Sequence, residues 1–420
     1  MRFLFTALCL MVTFGIGSAG AQGFKISGTQ LLDANGKNFI MKGVSVPLSW
    51  FVSDVNNNIA NIKNKTGSNC FRIVVNTSTA DNSWQTCVNN CIANKIVPMV
   101  ELHDVTGSNN SSDLQRMAQW WAGKASFLTG TNVARYILIN IANEWGDWYM
   151  ASPTNDPPQT AWRDAYIQAV QTLRSAGINT TLVVDAPGYG QDNKGSTLIN
   201  YAAAVQAADP KKNVLFSVHM YCEWKVNGNS SISTHLPAIK NAGVPVIVGE
   251  FGYQHTEGSS VCDIDEVLIM STCQANSIGW LAWSWKGNGS PVQYLDLSSD
   301  WAGNNLSSWG STIVNNANGT KTAQTCTAFN GVGAIPGSRS LVEKSKEFTI
   351  QSKNNGLRIS YDGFSGSTIC KVFDMRGQLV ERQTARDQQS EVMPFYLSPG
   401  MYIVMVSDAQ KSFANRILVK

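Results

Sequence analysis

The sequence predicts an α/β fold, a (β/α)8 barrel of the TIM type, followed by a small all-β, sandwich-like domain. The first observation is a series of eight short apolar runs, most of them continuous rather than alternating, which is typical of parallel strands covered on both faces. The runs are 39–45, 70–75, 97–102, 136–142, 181–185, 214–218, 244–248 and 278–283. The second observation is that helix-like stretches, such as 160–176 and 232–242, lie between them. Eight strands alternating with helices over about 300 residues match this barrel in number and size.

The main alternative for this region is an open, doubly wound sheet. Such a sheet usually carries a glycine-rich dinucleotide-binding fingerprint after an early strand. No such fingerprint follows any of the early runs of this chain. The barrel is therefore favoured over the open sheet.

Composition changes along the chain predict four segments. Residues 1–21 resemble a signal peptide, with Arg2, an apolar core at 3–16 and small residues before a cleavage point at Gln22. A buried N-terminal helix is the alternative for this segment. Residues 22–327 form the predicted barrel, and 328–345 form a linker without periodicity. Residues 346–420 contain short strand signals separated by turns, which predicts the all-β domain.

Charge and cysteine content limit the classes of partner. The chain has 32 basic and 29 acidic residues, so its net charge is only +3. This small charge gives no reason to expect nucleic acid as a binding partner, whereas a neutral polysaccharide would be compatible with it. Eight cysteines remain after Cys9, and this even number is consistent with disulfides. Their spacing in the sequence does not show which cysteines pair. Cys87 and Cys91 lie four apart without a histidine at zinc-finger spacing, so we expect no metal and no cofactor. We also expect a monomer.

Two glutamates close strand-like apolar runs, Glu144 just after the fourth run and Glu250 just after the seventh. Burying a carboxylate is costly, and polar residues at the C-terminal ends of barrel strands are candidates for catalysis. Paired carboxylates hydrolyse glycosidic bonds. We therefore predict Glu144 as the general acid/base, which protonates the leaving oxygen, and Glu250 as the nucleophile, which must stay ionised.

The other strand ends supply supporting polar groups. Arg72 is the expected cation for Glu250, and the Asn143 amide is expected to hold the substrate 2-hydroxyl. His219 and Tyr221 lie two apart and so share one face of a strand. Among the 13 tryptophans, those beside strand-end polar groups are predicted to contact sugar rings, with core packing as the alternative. These are Trp50, Trp145, Trp283 and Trp285.

From about residue 23 to 322 the chain resembles glycoside hydrolase family 5, and more narrowly its bacterial β-mannanases. The resemblance is carried by the segments 28–36, 100–107, 139–145, 184–192, 216–221, 247–252 and 279–289, followed by 294–297 and 300–306. It implies a TIM barrel that hydrolyses β-1,4-mannan internally with retention of configuration. It assigns Glu144 as acid/base and Glu250 as nucleophile. The supporting positions that match the family are Arg72, His103, Asn143, His219, Tyr221 and Trp283.

One departure from the family concerns the first loop. Similar mannanases carry histidines before the loop tryptophan, whereas this chain has Val46-Pro-Leu48-Ser-Trp50. A shifted sugar preference is therefore possible, and an endo-β-1,4-glucanase with the same catalytic pair is one alternative. A non-catalytic polysaccharide-binding protein is another, disfavoured because both carboxylates are present.

The C-terminal segment is similar to the sorting domains of type IX secretion. The similarity rests on 372–377, on 397–404 and on the terminal 417–420. It implies contact with the secretion machinery and an extracellular or cell-surface location. A small carbohydrate-binding module is the alternative, disfavoured because no tryptophan occurs after Trp309.

Overall fold

The computed structural model describes two parts of the chain. The first comprises residues 23–152, 156–257 and 260–330, and the second comprises 348–353, 356–361, 368–374, 378–385, 393–397, 400–407 and 412–419. The chain divides into two compact units, Met1–Gly333 and Ala334–Lys420, and the division falls inside the stretch predicted as a linker. The predicted signal peptide, residues 1–21, lies outside the described residues and stays a prediction.

Eight parallel strands form a closed barrel, which confirms the predicted fold class. They are β1 (Lys42–Val46), β2 (Cys70–Val75), β3 (Val97–Leu102), β4 (Leu138–Asn140), β5 (Leu182–Asp185), β6 (Val214–Met220), β7 (Val246–Phe251) and β8 (Trp280–Ala282). Each strand pairs with the next in sequence, and β8 pairs with β1 to close the barrel. All carboxyl ends therefore lie at one mouth.

Helices follow the strands and cover the barrel. The longer ones are Val52–Thr66, Asp81–Ala93, Ser111–Ala122, Asp156–Ser175, Ser196–Ala208, Ser230–Asn241, Glu266–Asn276 and Ser308–Asn315. Single turns of helix occupy Ala125–Leu128, Thr131–Ala134, Cys222–Trp224, Gln293–Leu295, Thr320–Thr322 and Thr327–Asn330. The helix after β3 shows why these segments are helical. The Asn110 side chain accepts the N–H of Ser112 as its N-cap, and Leu114, Met117 and Trp121 are buried at helical spacing. Across the described ranges, no helix has the length and apolar character needed to cross a membrane.

The inside of the barrel changes from apolar to polar along the strands. On four strands a buried apolar residue is followed two positions later, on the same face, by a buried polar one. The pairs are Cys70 and Arg72, Met99 and Glu101, Leu138 and Asn140, and Val183 and Asp185. The apolar members form one core cluster with Phe24, Leu31 and Phe39, which close the N-terminal end. The polar members consequently meet at the carboxyl ends.

A register shift in β7 changes which side chains of that strand enter the barrel. Val248 lies opposite Val218, but the next paired residue is Glu250, opposite His219, so Gly249 is skipped. A Cβ at Gly249 would lie 2.1 Å from Ser217 Oγ, so only glycine fits there. The extra residue is a β-bulge, and it brings Glu250 to the same side as His219.

Two additions complete the barrel unit. A hairpin of Lys25–Ser27 and Gln30–Leu32 lies at its N-terminal end. A second hairpin, Gln254–Glu257 with Ser260–Asp263, follows β7 and is tied to the loop after β6 by the disulfide Cys222–Cys262. The other six cysteines after the predicted signal peptide are free and buried.

The barrel unit extends slightly beyond its predicted end at residue 327. The Ala328 N–H donates to Asp33 Oδ2, and the Phe329 ring stacks on Tyr136 with centroids 4.6 Å apart. Placing the start of the linker at 328 is therefore wrong, because 328–330 pack on the barrel. The remainder of the predicted linker, from 331, lies outside the described residues.

The second unit is all-β, as predicted. One antiparallel sheet contains Phe348–Lys353, Gly356–Tyr361 and Met393–Tyr396. The other contains Leu379–Ala385, Thr368–Asp374, Gly400–Ser407 and Ser412–Val419, in that spatial order. Cys370 and Val372 face the same side as Val404 and Val406 in the neighbouring strand, and all four are buried. This alternation gives the second sheet one apolar face.

Candidate active site

Glu250 is held by two donors at the barrel mouth. Arg72 Nη1 donates to its Oε2 over 2.8 Å, and the Tyr221 hydroxyl donates to its Oε1 over 2.6 Å. Only 6% of Glu250 is exposed. Each carboxylate oxygen thus has one strong donor, which fixes its orientation and stabilises its negative charge. A buried carboxylate with a fixed orientation is suited to nucleophilic attack.

Arg72 is the central cation of the site and is fully buried. Its Nη2 donates to Asn143 Oδ1 over 2.5 Å, and its Nη1 also lies 3.4 Å from Glu101 Oε1. Burial alone would lower the pKa of Arg72, but Glu101 and Glu250 outweigh burial and raise it. Arg72 therefore stays charged and compensates two buried carboxylates.

Glu144 lies four residues after the end of β4 and has a left-handed backbone conformation, with φ of 49°. Its backbone N–H donates to Asp185 Oδ2 over 3.0 Å, and its carbonyl accepts the N–H of Gly107. Such a conformation is costly for a residue other than glycine and persists only where the surroundings impose it. Here it turns the Glu144 side chain, 14% exposed, toward the open mouth.

His219 links the two carboxylates. Its Nδ1 lies 2.7 Å from Glu144 Oε1 and 4.0 Å from Glu250 Oε2, and its Nε2 lies 3.5 Å from Asp185 Oδ2. Burial would lower the pKa of His219, but the charges of Asp185, Glu250 and Glu144 raise it to about 9. His219 thus holds a proton facing Glu144 at neutral pH.

The two candidate catalytic carboxylates lie close together. One oxygen of Glu144, one oxygen of Glu250 and a His219 ring nitrogen all lie within 4.8 Å of one another. These three groups could in principle reach a metal ion, but Arg72 already supplies the positive charge that a metal would bring. A second such set, Cys222, Glu223 and His255, has its cysteine sulfur in a disulfide.

A cluster of rings lines the mouth beside the carboxylates. The rings of His103 and Trp283 stack with centroids 5.8 Å apart, and Trp50 meets His103 edge-on at 5.6 Å. His103 Nδ1 lies 3.0 Å from Glu101 Oε1. Burial would lower the pKa of His103, but Glu101 raises it. Trp50 is 53% exposed, so this cluster presents an open apolar ring beside a polar group.

Two of the predicted sugar contacts are wrong. Trp145 and Trp285 are fully buried. The Trp145 indole N–H donates to the carbonyl of Asn110, and that of Trp285 donates to the carbonyl of Trp301. Both rings belong to the core between the barrel and its outer layer. They support the loops of the mouth but cannot touch a substrate.

Three supporting groups were not assigned roles from the sequence. Glu101 contacts both Arg72 and His103, and Asp185 fixes the Glu144 backbone. Asn288 accepts the indole N–H of Trp283 over 2.9 Å and thereby holds that ring. Glu101 and His103 lie two apart at the end of β3, as do His219 and Tyr221 at the end of β6, so strand spacing could have pointed to Glu101. No comparable signal marks Asn288, which lies in a loop.

The C-terminal unit matches a known family. The profile of the secretion system C-terminal sorting domain matches residues 347–420. This match confirms the predicted sorting domain. It indicates type IX secretion and so an extracellular or cell-surface location.

The barrel unit matches known proteins over most of its length. The profile of cellulase (glycosyl hydrolase family 5) matches residues 32–289. The chain is 37% identical to a mannan endo-1,4-beta-mannosidase of Salipaludibacillus agaradhaerens, covering 73% of this chain and 96% of that protein. The chain is 35% identical to a mannan endo-1,4-beta-mannosidase of Streptomyces lividans, covering 77% of this chain and 82% of that protein. A solved β-mannanase from Thermomonospora fusca is 35% identical, with a TM-score of 0.65 over 74% of this chain and all of that one. With its barrel, its paired carboxylates and these matches, the chain belongs to glycosyl hydrolase family 5 and is a glycoside hydrolase.

Proposed function

We propose that this enzyme cleaves internal β-1,4 bonds of mannan, glucomannan or galactomannan and retains the configuration at the anomeric carbon. The observation that carries the mechanism is the short separation of Glu144 and Glu250, with oxygens within 4.8 Å. Retaining pairs lie about 5–5.5 Å apart, whereas inverting pairs lie roughly 6.5–9.5 Å apart to admit a water. The observed spacing of the two carboxylates therefore supports a retaining mechanism with two displacements over an inverting mechanism with one.

In the first displacement, a Glu250 oxygen attacks the anomeric carbon while the Glu144 carboxyl gives its proton to the leaving oxygen. The bond to the leaving sugar breaks and a covalent glycosyl ester of Glu250 forms. In the second, Glu144 takes a proton from water as that water attacks the anomeric carbon and releases Glu250. Glu144 ends protonated and Glu250 ends ionised, so both return to their starting states.

The neighbouring residues have distinct supporting roles in this scheme. Arg72 and Tyr221 orient Glu250 between them, one donor on each oxygen. His219 Nδ1 lies 2.7 Å from Glu144 Oε1, so it holds that carboxyl in place while Glu144 gives its proton to the leaving oxygen and later takes one from water. The Asn143 side-chain oxygen accepts from Arg72 Nη2, and its amide nitrogen donates one N–H to Thr106 Oγ1. The second N–H of this amide is the group proposed to donate to the substrate 2-hydroxyl.

Mannan is favoured as the substrate because the relatives from Salipaludibacillus agaradhaerens and Streptomyces lividans, 37% and 35% identical, are mannan-cleaving enzymes by name and are covered over 96% and 82% of their length. An endo-β-1,4-glucanase is the second candidate, since the matching family profile is described as cellulase. The first loop bears on this choice. Its Leu48 is fully buried and only Trp50 is exposed, so the loop offers a ring face without the histidines of similar mannanases.

A substrate panel tests the proposal. The full-length protein should release reducing sugar from glucomannan and galactomannan, and much less from carboxymethylcellulose. Glu250→Ala should lose this activity while its circular dichroism spectrum stays unchanged. Glu266→Ala, at the start of an outer helix, is the matched control and should retain activity. Full activity of Glu250→Ala would refute the mechanism. Cleavage of carboxymethylcellulose with mannan untouched would identify a glucanase.

We further propose that residues 346–420 are the part that the secretion machinery recognises. The sorting-domain match over 347–420 supports this. The chain with and without these residues would be expressed in a bacterium that has type IX secretion. Mannanase activity should move from the medium and cell surface to the periplasm on deletion. Equal activity in the medium would contradict the proposal.

A further inference from the structure

Asp185 is a fully buried carboxylate at the carboxyl end of β5, and the proposed chemistry gives it no step of its own. Its Oδ1 accepts from Asn140 Nδ2 over 3.0 Å, and its Oδ2 accepts the backbone N–H of Glu144 over 3.0 Å. The same Oδ2 lies 3.5 Å from His219 Nε2. A buried charge is costly unless its neighbours compensate it, so the partners of Asp185 indicate what it does.

The imidazole ring of His219 lies between two acidic side chains. Its Nδ1 lies 2.7 Å from Glu144 Oε1, and its Nε2 faces Asp185. Within the residues that the structure describes, Nε2 has no hydrogen-bond partner, so Asp185 acts on the ring by its charge. Burial would lower the pKa of His219, and Asp185 is the largest of the charges that instead raise it to about 9. Gly190 packs against the same ring, where a Cβ would lie 2.7 Å away, and brings no charge.

The remaining charges around His219 come from other strands. Glu144 follows β4, and Glu250 Oε2 on β7 lies 4.0 Å from His219 Nδ1. Arg72 on β2 lies 2.8 Å from Glu250 and compensates that carboxylate. Glu144 is protonated when it acts as the acid, so it then offers His219 no negative charge. Asp185 is therefore the carboxylate that balances a charged His219 at this stage of the reaction.

The charge of His219 determines whether this residue can remove the proton of the acid. A neutral imidazole has one ring nitrogen that accepts, whereas both nitrogens of an imidazolium only donate. At 2.7 Å, a neutral Nδ1 could accept the proton of the Glu144 carboxyl, which the leaving oxygen needs. A charged His219 can only donate to Glu144 Oε1.

We propose that Asp185 is a positioning residue that keeps His219 charged, so that the acid proton stays on Glu144 until the leaving oxygen takes it. This inference rests on the proposed function, in which Glu144 is the acid. Asp185 also holds the backbone of Glu144 through its N–H. One carboxylate thus fixes the acid through the main chain and through His219, and its full burial keeps it away from the sugar.

Asp185→Asn tests the role of the charge, because asparagine keeps an oxygen that can accept the Glu144 N–H. Full-length protein labelled with nitrogen-15 at histidine would be titrated by NMR. The chain has four histidines, and the spectrum of His219→Gln assigns the signals of His219. In the wild type, both ring nitrogens of His219 should carry protons at about pH 7. In Asp185→Asn, the pKa of His219 should fall by about one to three pH units, the effect of one nearby opposite charge.

The same substitution should change the pH dependence of hydrolysis. At about pH 5 both proteins carry a charged His219, and at about pH 8.5 only the wild type largely keeps that charge. The ratio of kcat/KM on mannohexaose, variant to wild type, should therefore be about 3- to 200-fold lower at the higher pH. A merely structural role would lower this ratio equally at both pH values.

Asp209→Asn is the matched control. Asp209 is also a fully buried carboxylate, and it pairs with Arg174 over 2.8 Å. It lies between the helix Ser196–Ala208 and β6, at the opposite end of the barrel from the mouth. Its substitution should lower stability and leave the signals of His219 and the pH dependence of the kcat/KM ratio unchanged.

Three results would overturn the proposal. A neutral His219 in the wild type at about pH 7 would do so without any variant, so the test stands even where Asp185→Asn fails to fold. An unmoved pKa of His219 in a folded Asp185→Asn would do so, as would a kcat/KM ratio equal at both pH values. If the wild-type protein cleaves neither mannan nor mannohexaose, the proposed function itself fails, whereas the NMR titration reports the charge of His219 independently of activity.

Discussion

Tyr221→Phe is the most informative single substitution, because it removes one oxygen atom and keeps the ring. The lost group is the hydroxyl that donates to Glu250 Oε1 over 2.6 Å. The phenyl ring of the variant retains the contact with His255, whose centroid lies 5.5 Å away. Glu250 is 6% exposed, so water cannot readily replace the missing donor. The variant therefore tests how far the orientation of Glu250 depends on this hydrogen bond.

The expected size of the effect follows from the charge of the acceptor. A hydrogen bond to an ionised group contributes about 1.5–3 kcal/mol. If the whole loss acts on the transition state, kcat/KM falls by about 10- to 150-fold. Because Tyr221 orients the nucleophile rather than the sugar, the loss should appear in kcat, with KM changing by less than about threefold. Steady-state kinetics on mannohexaose would measure both.

The control for this variant is Tyr166→Phe. The Tyr166 hydroxyl is buried and has no hydrogen-bond partner in the part of the chain that the structure describes. Its removal should leave kcat and KM unchanged. A kcat for Tyr221→Phe within about threefold of the wild-type value would refute the argument, since the donor would then contribute nothing to the reaction.

Two further substitutions test the buried charges. Arg72→Met leaves Glu250 and Glu101 buried without their cation, so it should lower the free energy of unfolding by about 3–5 kcal/mol in a urea titration. A loss below about 1 kcal/mol would show that the carboxylates find other partners. For His219 the pKa is raised from 6.5 to about 9 in the folded protein. The folded state then keeps a proton that the unfolded state loses, so this residue's contribution to stability is complete below pH 6.5 and is lost as pH rises through about 9. The loss is on the order of 3 kcal/mol. His219→Gln should flatten the decline of unfolding free energy between pH 6.5 and 9, and an unchanged decline would contradict the assignment.

Strand periodicity explains why much of the site was predictable from sequence. A residue two positions after a buried apolar one on the same face must also point into the barrel. This rule predicts that Arg72, two residues after Cys70, points into the barrel at its mouth. It also predicts that Tyr221 lies on the same face of its strand as His219. The ends of the apolar runs also locate Glu144, because β4 ends shortly before it. The barrel itself follows from counting these runs.

Local backbone geometry explains what sequence spacing could not predict. Glu250 enters the barrel only because the bulge at Gly249 changes the alternation of β7. A glycine inside a strand is a known signal of a bulge, but it does not give the direction of the shift. After Glu144 the left-handed turn sends Trp145 into the core and leaves Trp148 exposed. Proximity to the catalytic glutamate in sequence therefore pointed to the wrong tryptophan.

The central claim is that Glu250 forms the covalent bond to the sugar and Glu144 does not. A 2-deoxy-2-fluoro β-mannobioside with a good leaving group slows breakdown of such an intermediate, so the labelled enzyme can be digested and its peptides identified by mass spectrometry. The label should be found on the peptide that contains Glu250, and Glu250→Ala should remain unlabelled. A label on Glu144, or inactivation without any labelled peptide, would contradict the assignment of the two carboxylates.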